Sequence, residues 1–337
     1  MFLKRSWLLV GAGLAPVIAL SVSTYAVLSG GGAVMGTRSV CLRPEPPASV
    51  CFSQADTLSA RETTFITTSP DGQTLASSHS QEIQLWNLRT GKPLAILAGH
   101  TGWVSAMSFS PNGKILASSS LDQTIRLWNL GTGQLLSTFN AGRMTYLAFS
   151  PDGRMLAGSS RNRLWFDSQP GSSGVQLWDL KTGKQLRSLG SGPVTSLAFS
   201  PNGQILAIGS SATQLWNLKT RKLIRTLNSG GVTTLAFNPD GQTLISGSSK
   251  IKVWNVSTGK LIHTLKSGSS DLALSTDGQT LAVSSGGIIE LWHLETGKLL
   301  GALRASQFSN LCVAFGLDGQ TIISGSSDGI KIWRSQF

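Results

Sequence analysis

A short turn of the type Ser-Pro-Asp-Gly recurs seven times along this chain and sets a period of roughly 40 residues. Each turn precedes a tryptophan that closes an alternating apolar run, 13 to 15 residues further on in six of the seven cases. The turn glycines are Gly72, Gly113, Gly153, Gly203, Gly241, Gly278 and Gly319, and the tryptophans are Trp86, Trp128, Trp178, Trp216, Trp254, Trp292 and Trp333. Such a period is typical of proteins in which each repeat packs only against its neighbours.

Each repeat is predicted to form four short strands. In the second repeat these are residues 104–110, 115–119, 124–128 and 134–139. They are rich in β-branched or large apolar residues and are separated by turn residues. A single meander of this kind cannot bury both of its faces, so consecutive sheets must stack around an axis. The sequence therefore predicts an all-β fold, a closed ring of seven four-stranded antiparallel sheets.

The ends of the repeats resemble the WD-repeat family, and in particular its bacterial and cyanobacterial variants. The strings that carry the resemblance are LWNLRTGK (85–92), LWDLKTGK (177–184) and LWHLETGK (291–298). The resemblance implies a seven-bladed β-propeller over residues 50–337, closed by an N-terminal strand that completes the last sheet. Because the chain stops four residues after Trp333, residues 50–58 are predicted to supply that strand.

The resemblance also implies a hydrogen-bonded set of His, Ser, Asp and Trp, which is whole in only one repeat. There His100 follows a glycine, Asp122 precedes Trp128 by six residues, and Ser118 or Ser120 lies between. In four other repeats the position of the aspartate holds Ser80, Ser172, Ser210 and Ser248. We interpret His100 and Asp122 as a satisfied core pair rather than a catalytic one. Most other sheets are expected to lack this buried clamp.

Composition is that of an ordinary globular chain with excess positive charge. Of 337 residues, 40% are hydrophobic and 13% charged, and the formal net charge is +12. Many basic residues fall in the turns after the tryptophans, on one rim of the predicted ring: Arg89, Lys92, Lys181, Lys184, Lys219, Arg221, Lys222, Lys260 and Lys298. They serve either solubility or an anionic lipid or polymer partner. Nucleic acid is not expected, because no basic cluster is interleaved with stacking aromatics.

Residues 1–36 are predicted to be a targeting segment. Lys4 and Arg5 precede residues 7–28, a run of 22 residues without charge, which is long enough to span a bilayer as a helix. The basic residues place the N-terminus in the cytoplasm, so the ring is expected on the extracytoplasmic side, in a periplasm or its equivalent. The alternative is a cleaved signal peptide ending near Ala26, which would release a secreted ring.

Residues 37–49 are predicted to be a Pro-rich linker between the membrane and the ring. Cys41 and Cys51 flank this linker and could be bridged in an oxidising compartment. Cys312 is predicted on the innermost strand of the last sheet, too far from Cys51 for a disulfide. We interpret it as a small buried hydrophobe.

The sequence contains few residue patterns that are typical of catalytic sites. The four histidines are His79, His100, His263 and His293, in four different repeats. They lack the close pairing of metal ligands. A Gly-x-Ser-x-Gly match at 325–329 lies in a predicted hairpin rather than between a strand and a helix. No enzyme activity, cofactor or metal is expected.

A binding surface is predicted on the rim opposite the basic turns. Most connections there are short runs of Ser and Gly, but those of the second and third repeats carry large side chains, partly in an insertion of about ten residues. The candidate partner-binding residues are Trp103, Arg143, Arg161, Arg163, Trp165 and Phe166, with Arg304 and Phe308 as weaker members. Grouped Arg and aromatic side chains are typical of interface centres. Alternatively, Trp165 and Phe166 cover their own sheet and Trp103 packs its loop.

These observations predict a monomeric, membrane-tethered propeller that binds a protein or peptide and performs no chemistry. One alternative is an exported propeller enzyme, or a glycan- or lipid-binding protein, that uses the central channel or the basic rim. Another is an architectural role in which several faces organise an envelope complex.

Overall fold

The computed structural model describes residues 40–42, 50–58, 65–159, 174–186, 188–190, 192–269, 271–307, 312–316, 318–326 and 329–336. The regular elements within these ranges are 28 β-strands. The predicted N-terminal helix lies outside the described residues. Nowhere in those ranges does a helix have the length and hydropathy needed to cross a bilayer.

Each repeat forms one antiparallel sheet, which we call a blade. The first two strands are β1 (Val40–Leu42) and β2 (Val50–Leu58). Blade 1 contains β3 (Phe65–Thr68), β4 (Thr74–His79), β5 (Glu82–Asn87) and β6 (Pro93–Leu97). Blade 2 contains β7 (Val104–Phe109), β8 (Ile115–Ser120), β9 (Thr124–Asn129) and β10 (Leu135–Asn140). Blade 3 contains β11 (Tyr146–Phe149), β12 (Met155–Ser159) and β13 (Val175–Asp179).

The remaining blades repeat this order. Blade 4 contains β14 (Ser196–Phe199), β15 (Ile205–Gly209), β16 (Thr213–Asn217) and β17 (Lys222–Leu227). Blade 5 contains β18 (Thr234–Phe237), β19 (Thr243–Gly247), β20 (Ile251–Asn255) and β21 (Leu261–Leu265). Blade 6 contains β22 (Asp271–Leu274), β23 (Thr280–Ser285), β24 (Ile288–His293) and β25 (Lys298–Arg304). Blade 7 contains β26 (Cys312–Phe315), β27 (Thr321–Ser326) and β28 (Gly329–Gln336).

The innermost strands close the ring. Each of β3, β7, β11, β14, β18, β22 and β26 contacts the next, and β26 contacts β3. Hydrogen bonds cross several of these seams, because Ser105 Oγ donates to the Met144 carbonyl and Thr195 Oγ1 to the Val232 carbonyl, both at 2.6 Å. The predicted closed ring of seven blades is confirmed.

Blade 7 is completed by the N-terminal strand, as predicted, since β2 pairs with β28. Gln54 lies opposite Trp333 and Asp56 opposite Ile332, so Ala55 is a bulge. The outer strands of blades 1, 2, 4, 5 and 6 have a bulge at the same place, directly after the residue opposite the tryptophan. The closing strand therefore reproduces the register of an ordinary outer strand.

Two features differ from the expected pattern. The predicted linker contains β1, which pairs with β2 and gives blade 7 a fifth strand. Among the described residues of blade 3, the outer edge forms two isolated bridges, Val175 to Leu189 and Trp178 to Gln185. These bridges keep the spacing of a bulged outer strand.

Antiparallel connectivity gives the ring two different rims. The rim formed by the Ser-Pro-Asp-Gly turns and by the turns after the tryptophans is here called the turn rim. All seven turn glycines have positive φ, between 64° and 71°, as this turn chemistry requires. The nine basic residues predicted on this rim are all exposed. The connections between blades lie on the opposite rim, which we call the loop rim.

Candidate interaction surface

The loop rim of blade 2 contains a buried hydrogen-bond network of four side chains. His100 Nδ1 lies 2.8 Å from Asp122 Oδ2, and its Nε2 lies 2.8 Å from Ser118 Oγ. Trp128 Nε1 donates to the same Ser118 Oγ at 2.8 Å. The serine of the network is therefore Ser118, whereas Ser120 Oγ donates to a backbone carbonyl in the connection before β7.

The network is fully satisfied with a neutral imidazole. His100 Nδ1–H donates to the Asp122 carboxylate, and Nε2 accepts the Ser118 hydroxyl, which itself accepts from Trp128. Burial lowers the pKa of His100, and the hydrogen bond and charge of Asp122 only partly oppose it. Burial also acts against ionisation of Asp122, but hydrogen bonds from Thr124, His100 and Thr101 together hold the pKa of Asp122 well below its usual range.

The other blades keep part of this arrangement. Three tryptophans donate to a buried serine of the neighbouring strand: Trp86 to Ser77, Trp254 to Ser246 and Trp333 to Ser324. Where that serine is replaced by Ile208 or Val283, the tryptophan donates two residues back along its own strand, Trp216 to Gln214 and Trp292 to Glu290. In the part of each that the structure describes, these five blades thus lack the hydrogen-bonded His and Asp of blade 2, as expected. They keep a hydrogen bond donated by the tryptophan.

The connection of residues 98–103, between β6 and β7, is held by several contacts. Thr101 N–H donates to Asp122 Oδ2 at 3.1 Å, and Val104 N–H donates to the Ser80 carbonyl of blade 1 at 2.7 Å. Gly99 has φ +149°, and a Cβ there would lie 2.6 Å from Arg126 Nη1. The backbone on either side of Trp103 is therefore hydrogen-bonded, at Thr101 to blade 2 and at Val104 to blade 1.

An apolar patch lies at the end of this connection. Trp103 is 53% exposed and Leu121, in the turn between β8 and β9, is 39% exposed. Leu121 N–H donates to the Trp103 carbonyl at 2.9 Å, so the two residues are neighbours. Leu121 was not predicted as a contact residue, although it is the one apolar residue of the turn at 121–123.

A shallow groove of about 330 Å³ borders the other side of the same connection. Its lining residues are His79, Ser80, Gln81, Glu82, Ala98, Gly99 and His100. Glu82 is exposed and Ala98 offers a small apolar surface. The groove and the apolar patch thus border the same connection, residues 98–103.

The remaining predicted contact residues are placed only in part. Arg143 is exposed in the next connection of the loop rim, between β10 and β11, and Arg304 is exposed at the end of β25. Arg304 belongs to another sector of the rim, so the structure does not group it with Trp103. Lying outside the described residues are Arg161, Arg163, Trp165, Phe166 and Phe308. Across the described part of the chain, no three His, Cys, Asp or Glu side chains come together as metal ligands.

A closed ring of antiparallel sheets arranged around a central axis defines the class of β-propellers, and this chain has seven such blades. The chain belongs to the WD-repeat family of β-propellers. A family model described as "IFT122 first beta-propeller" matches residues 63–270, and the model "WD domain, G-beta repeat" matches residues 297–334. Propellers of this family typically act as scaffolds for interactions between proteins.

Relatives of the chain share only short stretches with it. A WD repeat-containing protein of Dictyostelium discoideum is 44% identical over 108 residues, which is 29% of this chain and 18% of the relative. Pre-mRNA-processing factor 19 of Oryza sativa is 36% identical over 23% of this chain and 15% of its own length. A periodic tryptophan protein 2 homolog of Schizosaccharomyces pombe is 44% identical over 17% of this chain and 7% of its own length. The chain therefore spans less than a fifth of these eukaryotic relatives.

Proposed function

We propose that this propeller is a non-enzymatic interaction module that binds a protein or peptide through the loop rim around Trp103 and Leu121. The single observation that carries the proposal is the half-exposed Trp103, which lies beside an exposed leucine on a backbone tied to a buried network. A large aromatic side chain left in water is costly unless a partner covers it, and tryptophan is enriched at the energetic centres of interfaces.

The polar surroundings of the patch favour a peptide-like partner. Exposed Glu82 lies in the adjoining groove and exposed Arg143 in the next connection. An apolar core with a charged periphery is the usual anatomy of a protein interface. The segment 98–103 loses little conformational freedom on binding, because its backbone is already fixed, and this lowers the cost of association.

The tether and the location are part of the same proposal. The uncharged run 7–28, with Lys4 and Arg5 before it, supports a membrane anchor with the propeller outside the cytoplasm. The LWNLRTGK-type strings support a bacterial type of WD-repeat protein, whereas the relatives reported above are eukaryotic.

Cross-linking of the full chain in its native envelope tests the binding face. The variant is Trp103→Ala, and the matched control is Ile262→Ala, an apolar side chain on outer strand β21 that is 48% exposed. We expect Trp103→Ala to weaken partner capture at least tenfold, since central aromatic truncations cost about 2 kcal/mol or more. The control should keep the same partners.

A second pair of variants separates the proposal from its rival. Lys219→Ala with Lys222→Ala removes two exposed charges of the turn rim. Loss of the partner in this variant, with binding intact in Trp103→Ala, would place the function on the basic rim instead. Protease added to spheroplasts, from which any outer envelope layer has been removed, tests the location, because an exported propeller is then accessible and a cytoplasmic one stays protected by the inner membrane.

A further inference from the structure

The two N-terminal cysteines are register partners in the outermost pair of strands. Cys41 of β1 lies directly opposite Cys51 of β2, in an antiparallel ladder that also pairs Val40 with Phe52 and Leu42 with Val50. The cysteines therefore occupy the central pair of this three-residue ladder. The connection between them is residues 43–49.

This register satisfies the backbone requirement for a disulfide. Directly opposed residues of antiparallel strands have Cα atoms about 4.5 or 5.5 Å apart, depending on whether the pair is hydrogen-bonded. Both values fall inside the range of about 4.4 to 6.8 Å that disulfides span. No movement of the strands is needed to bring the two Cα atoms within reach.

Cys312 does not compete for either cysteine. It is buried on β26, opposite Gly325, and β27 and β28 separate that strand from β2. Three strand spacings alone separate Cys312 from β2 by about 14 Å, and the ladders place Cys312 level with Leu58 rather than with Cys51. The pairing of the three cysteines is thus decided by the sheet order.

We propose that Cys41 and Cys51 form a disulfide that covalently closes the β1–β2 hairpin. The oxidant is a disulfide carrier, either a small molecule such as glutathione disulfide or a dithiol protein in its oxidised form. One thiolate attacks the carrier and releases one thiol, and the second thiolate then displaces the other. The cysteine pair loses two electrons and two protons, and the carrier disulfide becomes two thiols.

The bond fixes the strand on which ring closure depends. Strand β2 is joined to β28 on one side and to β1 on the other, and β1 also contacts β25 of blade 6. A bridged hairpin cannot separate its two strands while the rest of blade 7 remains folded. The disulfide therefore opposes opening of the ring at its one seam between the N-terminal and C-terminal strands.

Thiol counting on the full chain tests the bond. The protein is equilibrated with glutathione and glutathione disulfide in varied ratios, quenched in acid, denatured and labelled with N-ethylmaleimide. We expect one label per chain in oxidising mixtures, on Cys312, and three after reduction. Trypsin gives residues 39–61 as one peptide, because Arg43 precedes a proline. This peptide should be unlabelled and lighter than its reduced form by two hydrogen atoms.

Single variants serve as controls. Cys312→Ala should leave no label without reduction, and Cys41→Ser should free Cys51 and give two. Two labels on peptide 39–61 at every glutathione ratio, or a link to Cys312, would overturn the pairing. The thermal midpoint of the oxidised protein should exceed that of the reduced protein, and this difference should vanish in Cys51→Ser. An unchanged midpoint with the bond formed would refute its role in holding the ring.

Discussion

Truncation of Ser118 to alanine isolates the energetic contribution of the four-residue network. Its Oγ serves two buried partners, since it accepts from Trp128 Nε1 and bonds to His100 Nε2. Trp128 is 2% exposed and His100 4% exposed, so water cannot replace the lost hydroxyl readily. Ser246→Ala is the matched control, because Ser246 Oγ accepts from Trp254 in the same way but has no histidine beside it.

The expected magnitudes follow from the number of polar groups left without a partner. A buried donor or acceptor that loses its hydrogen bond costs about 1 to 3 kcal/mol. Ser246→Ala orphans one such group, so we expect a loss of ~2 kcal/mol in the free energy of unfolding. Ser118→Ala orphans two and should cost about 4 kcal/mol.

Urea denaturation followed by tryptophan fluorescence measures both losses. The midpoint should fall for both variants, and about twice as far for Ser118→Ala, with an unchanged dependence on urea concentration. Equal losses in the two variants would refute the reasoning, because the bond between Ser118 and His100 would then contribute nothing. Ser324→Ala in blade 7 should reproduce the loss of ~2 kcal/mol expected for Ser246→Ala, because Ser324 Oγ accepts from Trp333 in the same way.

Three further predictions concern pH and two buried contacts. The pKa of His100 is lowered in the folded state, so the unfolded chain takes up the proton first and stability falls as the pH drops below about 6.5. The pKa of Asp122 is also lowered by folding, so protonation of the unfolded chain causes a second loss of stability below about pH 4. Thermal midpoints from pH 8 to 5 should decline, and the slope should flatten in His100→Gln; equal slopes would contradict this. Asp271→Ala should cost about 4 kcal/mol, because the buried carboxylate accepts from the amide of Leu272 in its own strand and from that of Val313 across the seam between blades 6 and 7; a urea midpoint within error of the parent would refute it. Gly99→Ala should lower the midpoint in the same assay, whereas Gly230→Ala, with positive φ but no atom within 4 Å of the added Cβ, isolates the backbone strain alone.

Much of the fold could be predicted because each repeat contains its own turn sequence and its own strand-ending tryptophan. The turn glycines and the tryptophans mark the same two positions of every blade, so the number of blades followed from spacing. The closing strand was implied by the resemblance to the WD-repeat family. The bulge in the outer strands was not predicted, since it is set by the ladder opposite the tryptophan rather than by any one residue type. Strand β1 was missed because three residues beside a Pro-rich segment carry almost no periodic signal.

Parts of the site depended on contacts that the sequence does not display. The predicted network required a His and an Asp in each repeat, so the hydrogen bond from tryptophan to serine, which needs only the neighbouring strand, was not predicted. Gln214 and Glu290 take over that bond where Ile208 and Val283 fill the serine position, and only the structure shows the exchange. Asp271 was not singled out, because its role depends on an amide of the next blade.

The coincidence of the network and the exposed patch in one blade is the reason to connect them. Thr101 donates to Asp122, and a Cβ at Gly102 would lie 2.7 Å from the backbone nitrogen of Asp122, so the connection and the turn beneath it are in close contact. Trp103 and Leu121 follow directly on these two segments and share a backbone hydrogen bond. The buried network therefore fixes the positions of both apolar residues. Blades that keep only the bond from tryptophan to serine stabilise their own sheet, whereas blade 2 also fixes the presentation of a tryptophan in solvent, and a preorganised side chain loses less entropy on binding.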